Sequence, residues 1–354
     1  MTEDSDHIVA ETAARILTDL ADPQTVNRAT DSGWQQPCWR ALYDAGLPNA
    51  WVPDELGGSG ASLADGFAVL GVAGRFALAL PLAETMLAGW LLSRTGLPVS
   101  PGVLTVAPMR PTDRISLGAD GTLRGSAAAV PFASYADYIA VLADAEPKNT
   151  VALVNAHDCK LDKRTNLAGD PLDTVTFDGV EPLASAPAAL DRTGLMLMGS
   201  AVRAVQTAGA LEAILAMSVA YANERVAFEK PIGKFQAVQQ NLARLAGEVA
   251  AALAVSGSAS DTLARGEPLD SDAAFLEVAS AKIRCAEAAA EGAAIAHQVF
   301  GAIGFTKEHV LHRFTLRMLS WRDDFGDENY WAAALGRRVA RRGADEFWPL
   351  VASR

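Results

Sequence analysis

Cysteine is nearly absent: Cys38, Cys159 and Cys285 are the only three in 354 residues, and they lie far apart. No pair has the spacing of a zinc site or a redox motif, so buried, reduced thiols are expected. Positive charge is also in short supply. Lysine and arginine total 30 against 42 aspartates and glutamates, a formal net charge of −12. That balance argues against a nucleic-acid partner and an anionic membrane surface, both of which need surplus lysine and arginine. A polyanionic ligand would need a local basic cluster. Long apolar runs are missing too: none approaches the ~20 residues that span a bilayer. The start, "MTEDSDHIVAET", is acidic and polar rather than a signal peptide, and a cytoplasmic chain is expected.

What is present has an ordinary globular balance, half hydrophobic and one fifth charged. The texture changes twice along the chain. In residues 1–99 the runs "CWRALYDAGL", "LADGFAVLGVAGRFA" and "LPLAETMLAGWLLSRTG" space apolar residues by three and four, which predicts helices. Residues 100–185 carry short β-type runs such as "DYIAVLAD" and "DTVTFDG" between Asp-Gly, Pro and Asn turns. Five to seven strands are expected there, with "GADGTLRG" as a hairpin turn. Residues 186–354 are helical again and rich in alanine. Phe235, Val238, Leu242, Leu245, Val249 and Leu253 recur on one helix face, and the span from Asp272 continues the pattern. The fold class read from this order is α+β: an N-terminal helical domain, a small central β domain, and a C-terminal bundle of four or five helices. Antiparallel helices are expected over 190–228 and 235–265, joined by a Lys-Pro-Ile-Gly turn.

The segment "ERVAFEKPIGKFQAVQ", from Glu224 to Gln239, holds the clearest chemical signal. A plain helical hairpin explains its Pro-Ile-Gly break but not the choice of Arg225, Phe228 and Gln236. Two further stretches stand in order around it, "LYDAGLPNAWVPDELGGSGASLAD" and "HQVFGAIGFTKEHVLHRF". Together the three resemble the flavin-dependent acyl-CoA dehydrogenase family over essentially the whole chain. The resemblance implies FAD as cofactor, an acyl-CoA substrate, electron-transfer flavoprotein as acceptor, and a dimer or tetramer. It places Arg225 and Gln236 at the flavin diphosphate across a subunit interface, with Phe228 in register beside them. A guanidinium suits that role because its fork pairs with phosphate oxygens. Gln298 and Gly301 would meet the adenosine end. On the residues alone, Arg225 also reads as a cation at a helix C-terminus, and Gln298 as a polar residue at a bundle edge.

The chain departs from the family pattern in four places. Glu229 replaces a glycine, and Ala302 replaces the second of two paired glycines. The flavin-holding "T-E-P-x-x-G-S-D" segment corresponds to "LTVAPMRPTDRISLGADG", which lacks Gly-Ser-Asp and the acid. The glutamate that takes the substrate α-proton is missing from both places where members carry it. One aligns near Gly199, in a helix without an acidic residue between Asp191 and Glu212. The other falls on Phe325, Gly326 or Asp327, and only Asp327 is acidic. Asp327 reads either as a base or as the N-cap of the helix "NYWAAALGRRVA". Three functions stay open: an acyl-CoA dehydrogenase, alone or as the smaller subunit of a mixed oligomer; a non-catalytic subunit completing the flavin site of a larger paralogue; and a nitroalkane oxidase-like flavoenzyme using Asp327.

Overall fold

A computed structural model describes residues 8–352. Five helices come first: α1 (Ile8–Leu20), α2 (Pro23–Arg28), α3 (Gln35–Asp44), α4 (Leu63–Arg75) and α5 (Leu82–Ser93). A capping box starts α4, with Ser62 and Asp65 bonding each other's backbone N–H. Helix α5 is buried nearly all round, which is why its sequence is apolar on every face. Its Thr85 hydroxyl donates to the Leu104 carbonyl and accepts from the Leu104 N–H, fixing the helix to the first strand.

Eight strands follow: β1 (Leu104–Ala107), β2 (Arg114–Leu117), β3 (Leu123–Pro131), β4 (Tyr138–Ala143), β5 (Thr150–Asn155), β6 (Lys160–Asp162), β7 (Leu172–Val180) and β8 (Ala184–Pro187). They form two four-stranded sheets, ordered β1-β4-β5-β8 and β2-β3-β7-β6. The pair β1–β4 is parallel and the other pairs are antiparallel. The "GADGTLRG" stretch is the β2–β3 hairpin turn. Eight strands exceed the five to seven expected because β6 and β8 span only three and four residues, too few to show an alternating pattern.

Helix α6 (Arg192–Glu224) runs through the middle of the C-terminal bundle, packed on α4 and on two further long helices, α7 (Gln236–Ala264) and α8 (Asp272–Phe300). The bundle ends with α9 (Leu311–Trp321), α10 (Glu328–Arg342) and the short α11 (Phe347–Ala352). The helix expected through residue 228 stops at Glu224. Arg225 is already extended, and β9 (Val226–Ala227) pairs with β10 (Lys230–Pro231) in a small hairpin. Phe228 and Glu229 form its tip with φ of 52° and 67°. Glu229 thus holds a left-handed backbone at the position where the family pattern has glycine.

The apolar face of α7 also differs from the expectation. Leu245 and Val249 are buried, but Leu253 is exposed, and burial continues through Ala252, Ser256, Ala259 and Leu263. Spacing that alternates three and four follows a 3.5-residue repeat, the seam of helices wound on one another. By length and composition alone, α6 and α7 would also qualify as membrane-crossing helices. Both pack in the bundle, where half of α6's apolar window is buried and 28% of α7's. The three cysteines are buried and unpaired, as expected.

Candidate functional site

The residues implied in flavin binding gather at one end of the bundle. Tyr221, near the end of α6, stacks on Phe300 at the end of α8, with ring centroids 4.4 Å apart. That contact brings Arg225, the C-cap of α6, towards Gln298 and Gly301 on α8. The small hairpin returns the chain to Gln236, the first residue of α7; the Ile232 N–H closes it on the Arg225 carbonyl at 2.8 Å. Arg225, Gln236 and Gln298 are all exposed. Phe228 is 88% exposed, an unusual position for a large apolar ring. Gly301 ends α8 with φ 63° and ψ −143°, a conformation that glycine tolerates, and the space beside it is open.

Gly199, near which one base position of the family aligns, and Phe325, one of the three residues on which the other falls, lie far from that end and meet each other. Gly199 is in the second turn of α6, 26 residues from Arg225, or ~39 Å along the helix at 1.5 Å per residue. A Cβ on Gly199 would sit 2.3 Å from the ring of Phe325. An aromatic ring therefore fills the space that Gly199 leaves open. Phe325 is 2% exposed and has φ 57°. Its N–H donates to the Met109 carbonyl, and its own carbonyl accepts from the Ser200 hydroxyl and the Trp331 indole.

Asp327 stands apart from this point. Its carboxylate accepts the Tyr330 N–H at 2.7 Å and caps α10. The carboxylate therefore serves as the helix cap that the sequence offered.

The loop corresponding to the flavin-holding segment is closed on itself. Asp113, between β1 and β2, is buried, and its carboxylate accepts the N–H groups of Met109, Arg110 and Ala128 at 2.9–3.0 Å. Asp113 thus ties two backbone N–H groups of the loop and one of β3 to a single carboxylate.

A charged cluster that the sequence did not reveal lies beside Phe325. Arg203 of α6 donates to Glu84 of α5 at 2.6 Å, to Asp324 at 2.8 Å and to Gln206 at 2.6 Å, all buried. Burial disfavours the Arg203 charge, but the two carboxylates outweigh it and hold its pKa above the ordinary value. Lys282 of α8 is buried nearby and donates to the Trp321 carbonyl at 2.7 Å. Burial pushes its pKa down to about 8. The only signal for the cluster in the sequence is charge inside apolar helices, as in "LAETML".

Comparison with known proteins agrees with this architecture. Residues 193–340 match the family model described as "Acyl-CoA dehydrogenase, C-terminal domain". Acyl-CoA dehydrogenase IpdE2 of Mycolicibacterium smegmatis is 30% identical over 319 residues, covering 88% of this chain and 91% of that protein. The chain belongs to the acyl-CoA dehydrogenase family. Its fold superposes on the ChsE4–ChsE5 complex of Mycobacterium tuberculosis with a TM-score of 0.85 at 24% identity, covering 97% of this chain and 99% of that one. A variant of the Tcur3481–Tcur3483 steroid ACAD gives a TM-score of 0.82 at 25% identity, covering 96% and 98%.

The members of this dehydrogenase family are oxidoreductases, and FAD is their cofactor. The exposed edge of this chain, with Arg225, Phe228, Gln236 and Gln298, fits the outer part of such a flavin. Its interior does not fit the reacting ring: the Asp113 loop is closed and Phe325 fills the point where a base would stand.

Proposed function

We propose that this chain is the smaller subunit of a mixed acyl-CoA dehydrogenase and completes the flavin site of a larger paralogous subunit. The observation that carries the reading is the meeting of Gly199 and Phe325. Gly199 aligns near one base position of the family and Phe325 is one of the residues on which the other falls; neither side chain can accept a proton, and Asp327, the acidic candidate, caps α10. The reaction removes a proton from the α-carbon of the acyl thioester and a hydride from the β-carbon, leaving a carbon–carbon double bond. FAD, when bound, takes the hydride. The proton needs a carboxylate close to the α-carbon in a dry site, which the larger subunit supplies in this reading. Arg225 presents its fork to the diphosphate of that subunit's flavin, and Gln236 and Gln298 border the same surface. The exposed apolar side chains of Val226, Phe228, Ile303 and Phe305 ring this end and suit burial against a protein surface.

Electron-transfer flavoprotein serves as the acceptor in this reading. A steroid-derived acyl-CoA is the first substrate class to try, because a relative at 25% identity is a steroid ACAD named for two chains. The test is co-purification with a larger paralogue, followed by anaerobic bleaching of the flavin with a panel of acyl-CoAs. Bleaching is expected only with the paralogue present, and Arg225→Ala should lower the FAD retained by the mixed complex at least several-fold. Stoichiometric FAD in the isolated chain, bleached by an acyl-CoA, would overturn the proposal.

A further inference from the structure

Resting on that partner-subunit reading, we infer that Phe325 is a built-in occupant of this chain's own acyl site and excludes acyl groups from it. Its ring shares the lining of a narrow void with Ala83 and Leu87 of α5, Val106 of β1 and Val202 of α6, with Glu84 and Arg203 at the polar margin. These walls are apolar and belong to three separate elements, as those of a ligand pocket do. With the ring in place no room for a water molecule is left between them.

Three features show that the ring is held there rather than packed by chance. Phe325 keeps φ at 57° and is followed by Gly326 at 92°, so the backbone turns through a region that bulky residues avoid in order to point the ring inward. Three hydrogen bonds fix the residue from different sides, reaching the β1–β2 loop, α6 and α10. On the facing helix, Gly199 leaves the gap that the ring enters; a Cβ there would lie 2.3–2.4 Å from three ring atoms. Gly199 and Phe325 are thus complementary, and the loop is strapped down beside them by the Arg203–Asp324 ion pair.

Phe325 thereby determines which subunit takes substrate. A bound acyl chain would have to displace the ring, break the strap and leave the Phe325 backbone groups unpaired. Acyl-CoA is directed to the larger subunit, where the base is.

The test uses the isolated chain with benzene as probe, followed by thermal shift, and xenon-pressurised crystals. The unaltered chain should show no benzene-dependent shift and no xenon beside Phe325. Phe325→Ala should bind benzene saturably, at least ten-fold more tightly than the unaltered chain, with xenon between Val106 and Val202. A folded alanine variant that binds neither probe overturns the inference, as does xenon beside Phe325 in the unaltered protein. If the alanine variant does not fold, the xenon result on the unaltered chain decides. None of these readouts involves flavin or the paralogue, so a failure here is distinguishable from a failure of co-purification, which would remove the reading on which this inference rests.

Discussion

At the scale of single residues, Asp327 shows how one acid can satisfy two readings of a sequence. "DFGDENYW" places an acid at an aligned catalytic position and, equally, one residue before a helix. The structure gives the carboxylate a backbone N–H to accept, and an N-cap is worth ~1 kcal/mol when replaced by alanine but almost nothing when replaced by asparagine. Asp327→Asn should therefore leave unfolding by urea unchanged within a few tenths of a kcal/mol, and Asp327→Ala should cost about 1 kcal/mol. Neither should alter flavin bleaching in the mixed complex; loss of bleaching with Asp327→Asn alone would restore the base. The exposed residues assigned to the flavin edge could be named from the sequence because they sit within two contiguous motifs. Glu84 and Asp324 were not, because they meet Arg203 across sequence separations of 119 and 121 residues, and no local pattern records such a contact. The plug was half legible. The absence of an acid at Gly199 and Phe325 could be read, whereas the ring's position against Gly199 required the packing.

At the scale of elements, the Arg203 cluster is a joint between α5, α6 and the loop before α10. A buried arginine with two carboxylates is stabilising only while every member is paired, since each has given up water. Arg203→Met should accordingly cost ~3–5 kcal/mol in denaturant unfolding, because Glu84 and Asp324 stay buried without a counter-charge. Adding Glu84→Gln and Asp324→Asn should recover a large part of that loss. If the triple variant were no more stable than the single one, the cost would lie in packing rather than in stranded charge. Elements themselves were legible where their period is long and regular, as in α8 over Asp272–Phe300. Helix α7 shows the limit: Leu253 looked like a continuation of its face, but the 3.5-residue repeat turns that position outward. The end of α6 shows another, since Phe228 and Glu229 adopt left-handed backbone that neither residue type advertises.

At the scale of the whole molecule, the order of helical, β and helical regions was readable because composition changes with each. Global stability against pH was not, because it depends on where burial places ionisable groups. In the window just below pH 10 burial lowers Arg313 to about 10 and raises the Tyr330 phenol, two effects of opposite sign; four further groups set the slope. Burial raises the Cys38 and Cys285 thiols to about 12 and Cys159 to about 11, and lowers Lys282 to about 8. In the unfolded chain thiols ionise near ~8.5 and lysine near ~10.4. Between pH 9.5 and 10 the folded protein therefore keeps three thiol protons that the unfolded chain has lost, which makes stability fall as pH rises. Lys282 acts the other way: its proton is absent from the folded state and present in the unfolded one, so it makes stability rise. The net slope is set by about two protons, three thiols against one lysine, or ~3 kcal/mol lost per pH unit. Lys282→Met removes the opposing group, and the loss should steepen to ~4 kcal/mol per pH unit, the slope of three protons. Urea unfolding of both proteins in reducing buffer, at closely spaced pH values from 8 to 10, measures the two slopes. Equal slopes would mean that Lys282 keeps its proton in the fold, and a flat curve would mean that the thiols ionise without unfolding.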